Sequence, residues 1–134
     1  MVKNVCACFE SNRGTLAVER RKKPGMFGLA GGKREPGESA EAALLREFTE
    51  ETGLDATGAK VALLYSAVDE TGEETATYRL TNLPAESEAR LAADFVGPEG
   101  SRVMMVSWAV LTDPQRCEFA VYNAAVQEAA NAAA

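Results

Sequence analysis

Three glutamates, Glu47, Glu50 and Glu51, stand close together in a stretch with helical periodicity. At 100° per residue they share an arc about 100° wide. Leu44, Leu45 and Phe48 occupy an adjoining apolar arc suited to face a core. Ala40 and Ala43 share the acidic arc, and their small side chains leave space above the carboxylates. Such a cluster is unfavourable by itself. Like charges at i,i+3 and i,i+4 repel by about 0.2–0.5 kcal/mol per pair. The cluster also lies near the helix C-terminus, where the macrodipole disfavours anions. A helix built only for stability would carry Lys or Arg there. One reading is a solvated charged face on which Arg46 pairs with Glu50. The other is a site for hard divalent cations, Mg²⁺ or Mn²⁺, which favour carboxylate oxygens and commonly also bind substrate phosphates.

The remaining composition narrows the chemistry. The chain has no histidine, which removes His acid–base catalysis, His metal ligands and a Ser-His-Asp triad. Cys6, Cys8 and Cys117 are odd in number and lack a metal-ligand spacing, so they read as reduced, buried cysteines. Twenty acidic against fourteen basic residues give a net charge of −6. That balance disfavours binding a nucleic-acid polymer through bulk charge. It leaves room for a small anionic substrate where metal ions supply local positive charge. With 134 residues, 46% hydrophobic and 25% charged, the chain is expected to form one domain over 1–134 with a single core. No run approaches the ~20 apolar residues of a membrane span, and no membrane partner is expected. The N-terminus, Met1-Val2-Lys3-Asn4-Val5, shows no export signal, so a cytoplasmic location is expected.

Several elements must position the acidic cluster. Val2 to Phe9 and Thr15 to Glu19 read as strands joined by the turn Glu10–Gly14, together a hairpin. A basic loop, Arg20 to Gly25, leads to an apolar stretch, Met26 to Ala30, and the pair Gly31-Gly32. Ser39 to Thr52 is the clearest helix, with Ser39 able to cap it and Gly53 able to end it in a left-handed conformation. Strands are expected over Val61–Val68, Thr75–Leu80 and Val103–Leu111. A short helix is expected over Glu86–Phe95 and an alanine-rich one over Phe119–Ala133, with Val121, Ala125 and Val126 facing inward and a frayed tail from Asn131. The irregular order suggests a mixed sheet with helices packed on it.

The stretch from Gly32 to Leu54, GKREPGESAEAALLREFTEETGL, resembles the Nudix box. The matching positions are Gly32, Glu38, Arg46, Glu47, Phe48, Glu50, Glu51, Gly53 and Leu54, all at the right spacing. Seven fixed identities at ordinary residue frequencies give a chance match on the order of 10⁻⁸ per window. One departure is Ala30, where many family members have a proline before the glycine pair. The resemblance implies an α/β fold: a Nudix-type α/β/α sandwich with a mixed β-sheet between helices.

It further implies hydrolysis of a pyrophosphate linkage in a nucleoside diphosphate joined to another group, with Mg²⁺ or Mn²⁺ as cofactor. Carried onto this sequence, Glu47, Glu50 and Glu51 would ligate the cations. Arg46 would orient Glu47, Glu38 would support the site or join it through water, and the carbonyl of Gly31 or Gly32 would add a ligand. Glu47 is the first choice for the general base and Glu99, in Gly97-Pro-Glu-Gly100, the second, with an ordinary turn acid as the other reading of Glu99. Arg21 is the choice for a phosphate contact. Phe27, Tyr65, Tyr78 and Tyr122 are candidate walls for a base, and Asn123 is a candidate polar reader. The proline associated with ADP-ribose hydrolysis is absent, its place taken by Asp69 and Glu70. The tyrosine associated with dinucleoside polyphosphates is absent as well, its place taken by Thr71 and Gly72. By elimination the expected substrate is a nucleoside triphosphate, including an oxidised or non-standard one, cleaved to the monophosphate and pyrophosphate. The alternatives are a hydrolase of nucleotide sugars or dinucleotides, or a nucleotide-sensing module without catalysis. A monomer or a homodimer is compatible with the family.

Overall fold

Alternation along the first strand decides how the layers assemble. In β1 (Asn4–Cys8), Val5 and Ala7 are fully buried on one face, while Asn4 and Cys6 point to the other. The computed structural model describes residues 2–133. β1 pairs antiparallel with β5 (Ala30–Lys33) and parallel with β7 (Glu74–Thr81). β7 in turn pairs antiparallel with β6 (Lys60–Val68). This gives a mixed sheet of order β5-β1-β7-β6. A second, antiparallel sheet contains β2 (Glu10–Ser11), β3 (Gly14–Glu19), β9 (Arg102–Val106) and β8 (Phe95–Val96), with β4 (Phe27–Gly28) on β3.

Helix α1 (Ala40–Thr52) follows the expected signals. The Ser39 hydroxyl accepts from the Ala42 N–H at 3.1 Å. Gly53 closes the helix at φ 70°, its N–H donating to the Thr49 carbonyl at 2.8 Å. Leu44 and Phe48 are fully buried against Val5, Ala7, Leu16 and Leu80. Burial of each such side chain stabilises the fold by about 2–3 kcal/mol. Leu45 is partly buried beside them. On the opposite face of the mixed sheet lies α4 (Ala120–Ala132). The Tyr122 hydroxyl there is 2.8 Å from the Thr77 hydroxyl and donates to the Thr75 carbonyl. Arg79 of β7 donates to the Ala130 carbonyl at 2.8 Å. The mixed sheet therefore lies between α1 and α4, the α/β/α arrangement expected from the sequence. No helix among the described residues is long and apolar enough to cross a membrane.

Some elements differ from expectation. The strand expected over Val2 to Phe9 ends at Cys8, and the hairpin partner of β3 is β2, formed by Glu10 and Ser11 of the expected turn; β1 belongs to the other sheet. The strand expected over Val103–Leu111 ends at Val106, and Trp108–Leu111 forms a short helix, α3. Trp108 opens that helix, and its indole N–H donates to Glu10 at 3.1 Å. The helix expected over Glu86–Phe95 is α2 (Ala85–Arg90), and Phe95 opens β8. Val121 is 73% exposed, whereas Val126 is fully buried. α4 continues through Ala132, past the expected fraying point, and Ala134 lies outside the described residues. Ala43 is buried in the core rather than standing over the carboxylates.

Candidate active site

Arg46 is the hub of the acidic cluster. Its Nε and Nη2 donate to the two oxygens of Glu38 at 2.7 and 2.9 Å, a bidentate fork. Nη2 also donates to the Lys33 carbonyl at 3.0 Å. Nη1 donates to Glu47 at 3.0 Å and lies 3.3 Å from Glu50. The fork, helped by the Glu35 N–H, holds Glu38 down at about 2. Glu38 therefore stays ionised and fixes the guanidinium between the β5 end and α1.

The glycine pair supplies close approach. The Gly31 N–H donates to Glu51 at 2.6 Å. A Cβ on Gly31 would stand 2.0 Å from the Val5 carbonyl oxygen, so only glycine fits beside β1. A Cβ on Gly32 would stand 2.4 Å from the Glu47 carboxyl. Glu47 and Glu51, one turn apart on α1, therefore meet the backbone of β5 with nothing between. Burial raises the Glu47 pKa, against the hydrogen bond from Arg46, and Glu50 and Glu99 push the same way as burial. Burial likewise pushes Glu51 up to about 7; the Gly31 N–H opposes the shift and the charges of Glu47 and Glu99 add to it.

A cavity of about 740 Å³ opens beside this wall, within the size range of small-molecule sites. Glu51, Gly31 and Gly32 line it, with Glu99 and Arg20 near enough for their charges to act on the Glu51 carboxyl, and Arg21 and Lys22 line it as well. Asn4, Asp69, Thr75, Tyr122 and Asn123 complete the lining, the first four joined through contacts to Thr75. Carboxylates and cationic side chains thus border the same space, and Arg20 pairs with Glu118 across it at 3.1 Å.

The chain matches the NUDIX domain family model over residues 2–118. The chain belongs to the NUDIX domain family. Three solved structures illustrate the shared fold. A protein from Chromobacterium violaceum, assigned to the nudix hydrolase family, has a TM-score of 0.65 at 21% identity, covering 98% of this chain and 78% of that one. A MutT protein from Methanosarcina mazei has a TM-score of 0.62 at 16% identity, covering 97% and 93%. An ADP-ribose pyrophosphatase from Streptococcus suis has a TM-score of 0.62 at 16% identity, covering 95% and 90%. No curated protein gives a match.

Against this fold, the Nudix residues expected from the sequence divide into groups. Gly32, Glu51, Glu99, Arg21, Phe27 and Asn123 all border the cavity. Glu47 lies against Gly32 on the helix side. Glu38 and Arg46 form the pair behind it. Glu50 is the outlying member, its half-exposed carboxylate turned to Arg46. The Arg46–Glu50 pair of the charged-face reading is therefore present, but the same guanidinium also serves Glu38 and Glu47. Among the described residues no three carboxylates converge as a ready-made cation cage. The cause is visible in the distances: Arg46 draws Glu47 and Glu50 toward itself and Gly31 holds Glu51. The donor set still fits a hard divalent cation. All its side chains offer carboxylate oxygens, and Glu47 lies near enough to Glu51 for its charge to raise the proton affinity of Glu51.

The base-reading expectations fare unevenly. Phe27 borders the cavity with the Arg116 guanidinium 5.6 Å from its ring centre. Tyr122 borders it too, with Tyr65 edge-on behind, ring centres 5.3 Å apart. Tyr78 packs on the core cluster beneath α1 and is no cavity wall. The Asn123 amide donates to the Leu111 carbonyl at 3.0 Å and to the Cys117 sulfur at 3.3 Å, so its donors tie α3 to α4. The sequence reading missed Asn4, Asp69 and Thr75. A period-two signal was there to find Asn4 and Thr75: Asn4 and Cys6 alternate with Val5 and Ala7, and Thr75 and Thr77 with Ala76 and Tyr78. Asp69 accepts from the Thr71 N–H at 2.8 Å and from the Thr75 hydroxyl at 2.7 Å, closing the β6–β7 turn. Glu70 accepts from the Val121 N–H at 2.9 Å and so caps α4 from that turn.

Proposed function

We propose that this chain is a divalent-metal-dependent hydrolase of a phosphoanhydride bond in a small nucleotide. The preferred substrate is a nucleoside triphosphate, including an oxidised or non-standard one, released as monophosphate and pyrophosphate. The observation that carries this reading is the meeting of Glu47 and Glu51 with the Gly31–Gly32 backbone at the wall of a large cavity that Arg20, Arg21 and Lys22 also line.

Glu47, Glu50 and Glu51 would hold Mg²⁺ or Mn²⁺, with a glycine carbonyl of β5 as a further ligand. When bound, the cation supplies charge neutralisation at the phosphates and lowers the pKa of water. The chain's own residues account for the rest. Arg46, clamped by Glu38, fixes the direction of Glu47. Lys22, with Arg20 paired to Glu118, adds positive charge that attracts the anionic substrate to the cavity. Glu47 or Glu99 takes the proton of the attacking water. The buried face of Phe27 and the ring of Tyr122 offer apolar contact to a base. A triphosphate is favoured over ADP-ribose or a dinucleotide by the tight turn of Asp69 to Gly72, which carries neither residue associated with those substrates in the family.

The test is a panel of nucleotides incubated with Mg²⁺, with products identified. Monophosphate plus pyrophosphate supports the proposal. Two monophosphates would assign a dinucleotide or nucleotide-sugar substrate instead. Saturable binding with no turnover would make the chain a sensor.

A further inference from the structure

The loop carrying Glu99 is built into place from two sides. On the helix side, a Cβ on Gly97 would stand 2.0 Å from the Glu51 carbonyl oxygen, so the loop backbone lies directly on the end of α1. Pro98 lies over Gly53, where a Cβ would meet its ring at 3.1 Å. Within the loop, the Gly97 N–H donates to the Ser101 carbonyl at 2.8 Å and the Gly100 N–H to the Gly97 carbonyl at 3.0 Å. On the far side, Nη1 of Arg21 reaches across from the β3–β4 loop and donates to the Glu99 carbonyl at 2.8 Å. Gly100 makes room for this arm. It sits at φ 89°, and a Cβ there would be 3.2 Å from both Cδ and Nη1 of Arg21.

The choice of acceptor is informative. The guanidinium holds the Glu99 carbonyl, while among the described residues no hydrogen bond or ion pair engages the Glu99 carboxylate. A direct ion pair would hold that carboxylate ionised and lower its basicity. Gripping the backbone instead fixes the residue and leaves its side chain available at the cavity.

We infer that Arg21 is a positioning residue, which locks the Gly97–Ser101 loop so that the Glu99 carboxylate stands at the cavity near Glu51. This rests on the hydrolase reading given above, and it gives Arg21 a different role from the phosphate contact expected from the sequence. Removing a group that only binds phosphate would raise KM. Removing a group that positions Glu99 lowers kcat and acts through that carboxylate.

The experiment is a double-mutant cycle of Arg21→Met and Glu99→Gln, measured with Mg²⁺ on the best nucleotide of the panel, with amide exchange recorded on the same proteins. Arg21→Met is expected to lower kcat about tenfold to a hundredfold, the range for losing a charged hydrogen bond, with KM within about threefold. In the Glu99→Gln background the same change should cost less than about twofold further. Arg21→Lys, which keeps a donor on a long stem, should recover part of the loss. Exchange at Gly97 and Gly100 should quicken about tenfold in Arg21→Met, with α1 unchanged. A rise in KM at constant kcat, or two losses that multiply, would overturn the inference. So would unaltered exchange at the loop. If wild-type protein hydrolyses no nucleotide, the hydrolase reading fails, and the exchange measurement still decides whether Arg21 locks the loop.

Discussion

Replacing Gly32 by alanine separates chemistry from folding more sharply than replacing an acid does. The new Cβ would stand 2.4 Å from the Glu47 carboxyl carbon and from one of its oxygens. No backbone atom is among its nearest neighbours, and Gly32 is not among the glycines at positive φ. Ordinary contact begins near 3.4 Å, so the carboxylate must retreat by about 1 Å. A misplacement of that size costs on the order of 10²-fold in rate. The fold loses little beyond the 3.0 Å contact of Glu47 with Arg46, worth about 1 kcal/mol, or roughly 3–5 °C in Tm. Gly31→Ala is the matched control. Its Cβ would meet the Val5 carbonyl oxygen at 2.0 Å and the Cys6 Cα at 2.8 Å, both backbone atoms of the paired strand. β1 and β5 must part, at about 3 kcal/mol or more. Pyrophosphate release and thermal melts on both variants are the assay. The expected result is a nearly inactive but stable Gly32→Ala beside an unstable Gly31→Ala. Wild-type turnover in Gly32→Ala would refute the claim that Glu47 acts from that position.

Further outcomes follow from the same geometry. Turnover should vanish in a chelator and return with Mg²⁺ or Mn²⁺, and Glu51→Gln should lower kcat by orders of magnitude without unfolding the chain; chelator-resistant activity would exclude the metal mechanism. In metal-free protein, Glu51 titrates near 7 when folded and near 4.5 when unfolded, so the folded state holds the proton more tightly. That stabilisation is complete below about pH 4.5 and is lost as pH rises through 7. Melts in chelator should show wild type losing on the order of 3 kcal/mol relative to Glu51→Gln between pH 4.5 and 8, and a constant difference would count against it. Glu70→Ala removes the cap on α4 and should cost about 1 kcal/mol, with faster amide exchange confined to the first turn of that helix. Val121→Ser should change stability by less than about 0.5 kcal/mol, whereas Val126→Ala should cost about 2 kcal/mol, as urea denaturation would report.

The acidic cluster was legible because its signals are local. Ser39, Gly53 and the apolar arc of Leu44 and Phe48 determine α1 within a few turns, and the spacing from Gly32 to Leu54 brings the glycine pair to the carboxylates. Elements set by distant partners were harder to read. Phe9 ends β1 because the chain passes there from one sheet to the other, a choice made by pairing with β7 and β3. Trp108 looks like a strand residue, yet it opens α3, and its indole N–H donates to Glu10, ninety-eight positions earlier. Val121 carries an apolar side chain into solvent because Tyr122 and Asn123 occupy the inward face of α4. The Asn4–Thr75 part of the cavity wall was missed for the same reason. Asn4 and Thr75 become neighbours only through the parallel register of β1 and β7.

The residues that line the cavity come from separate stretches of chain. Glu51 of α1, the glycines of β5 and the loops at Arg21 and Glu99 form one group, while the β6–β7 turn and the start of α4 form another, joined to the first by the Arg20–Glu118 pair. The second group is secured by its own contacts: Asp69 to Thr71 and Thr75, Glu70 to Val121, Tyr122 to Thr77. A longer or differently composed turn at positions 69–73 could therefore reshape what the protein admits without disturbing what it cuts. The architecture works as a fixed blade with an exchangeable holder, and directed variation for new selectivity belongs on the holder.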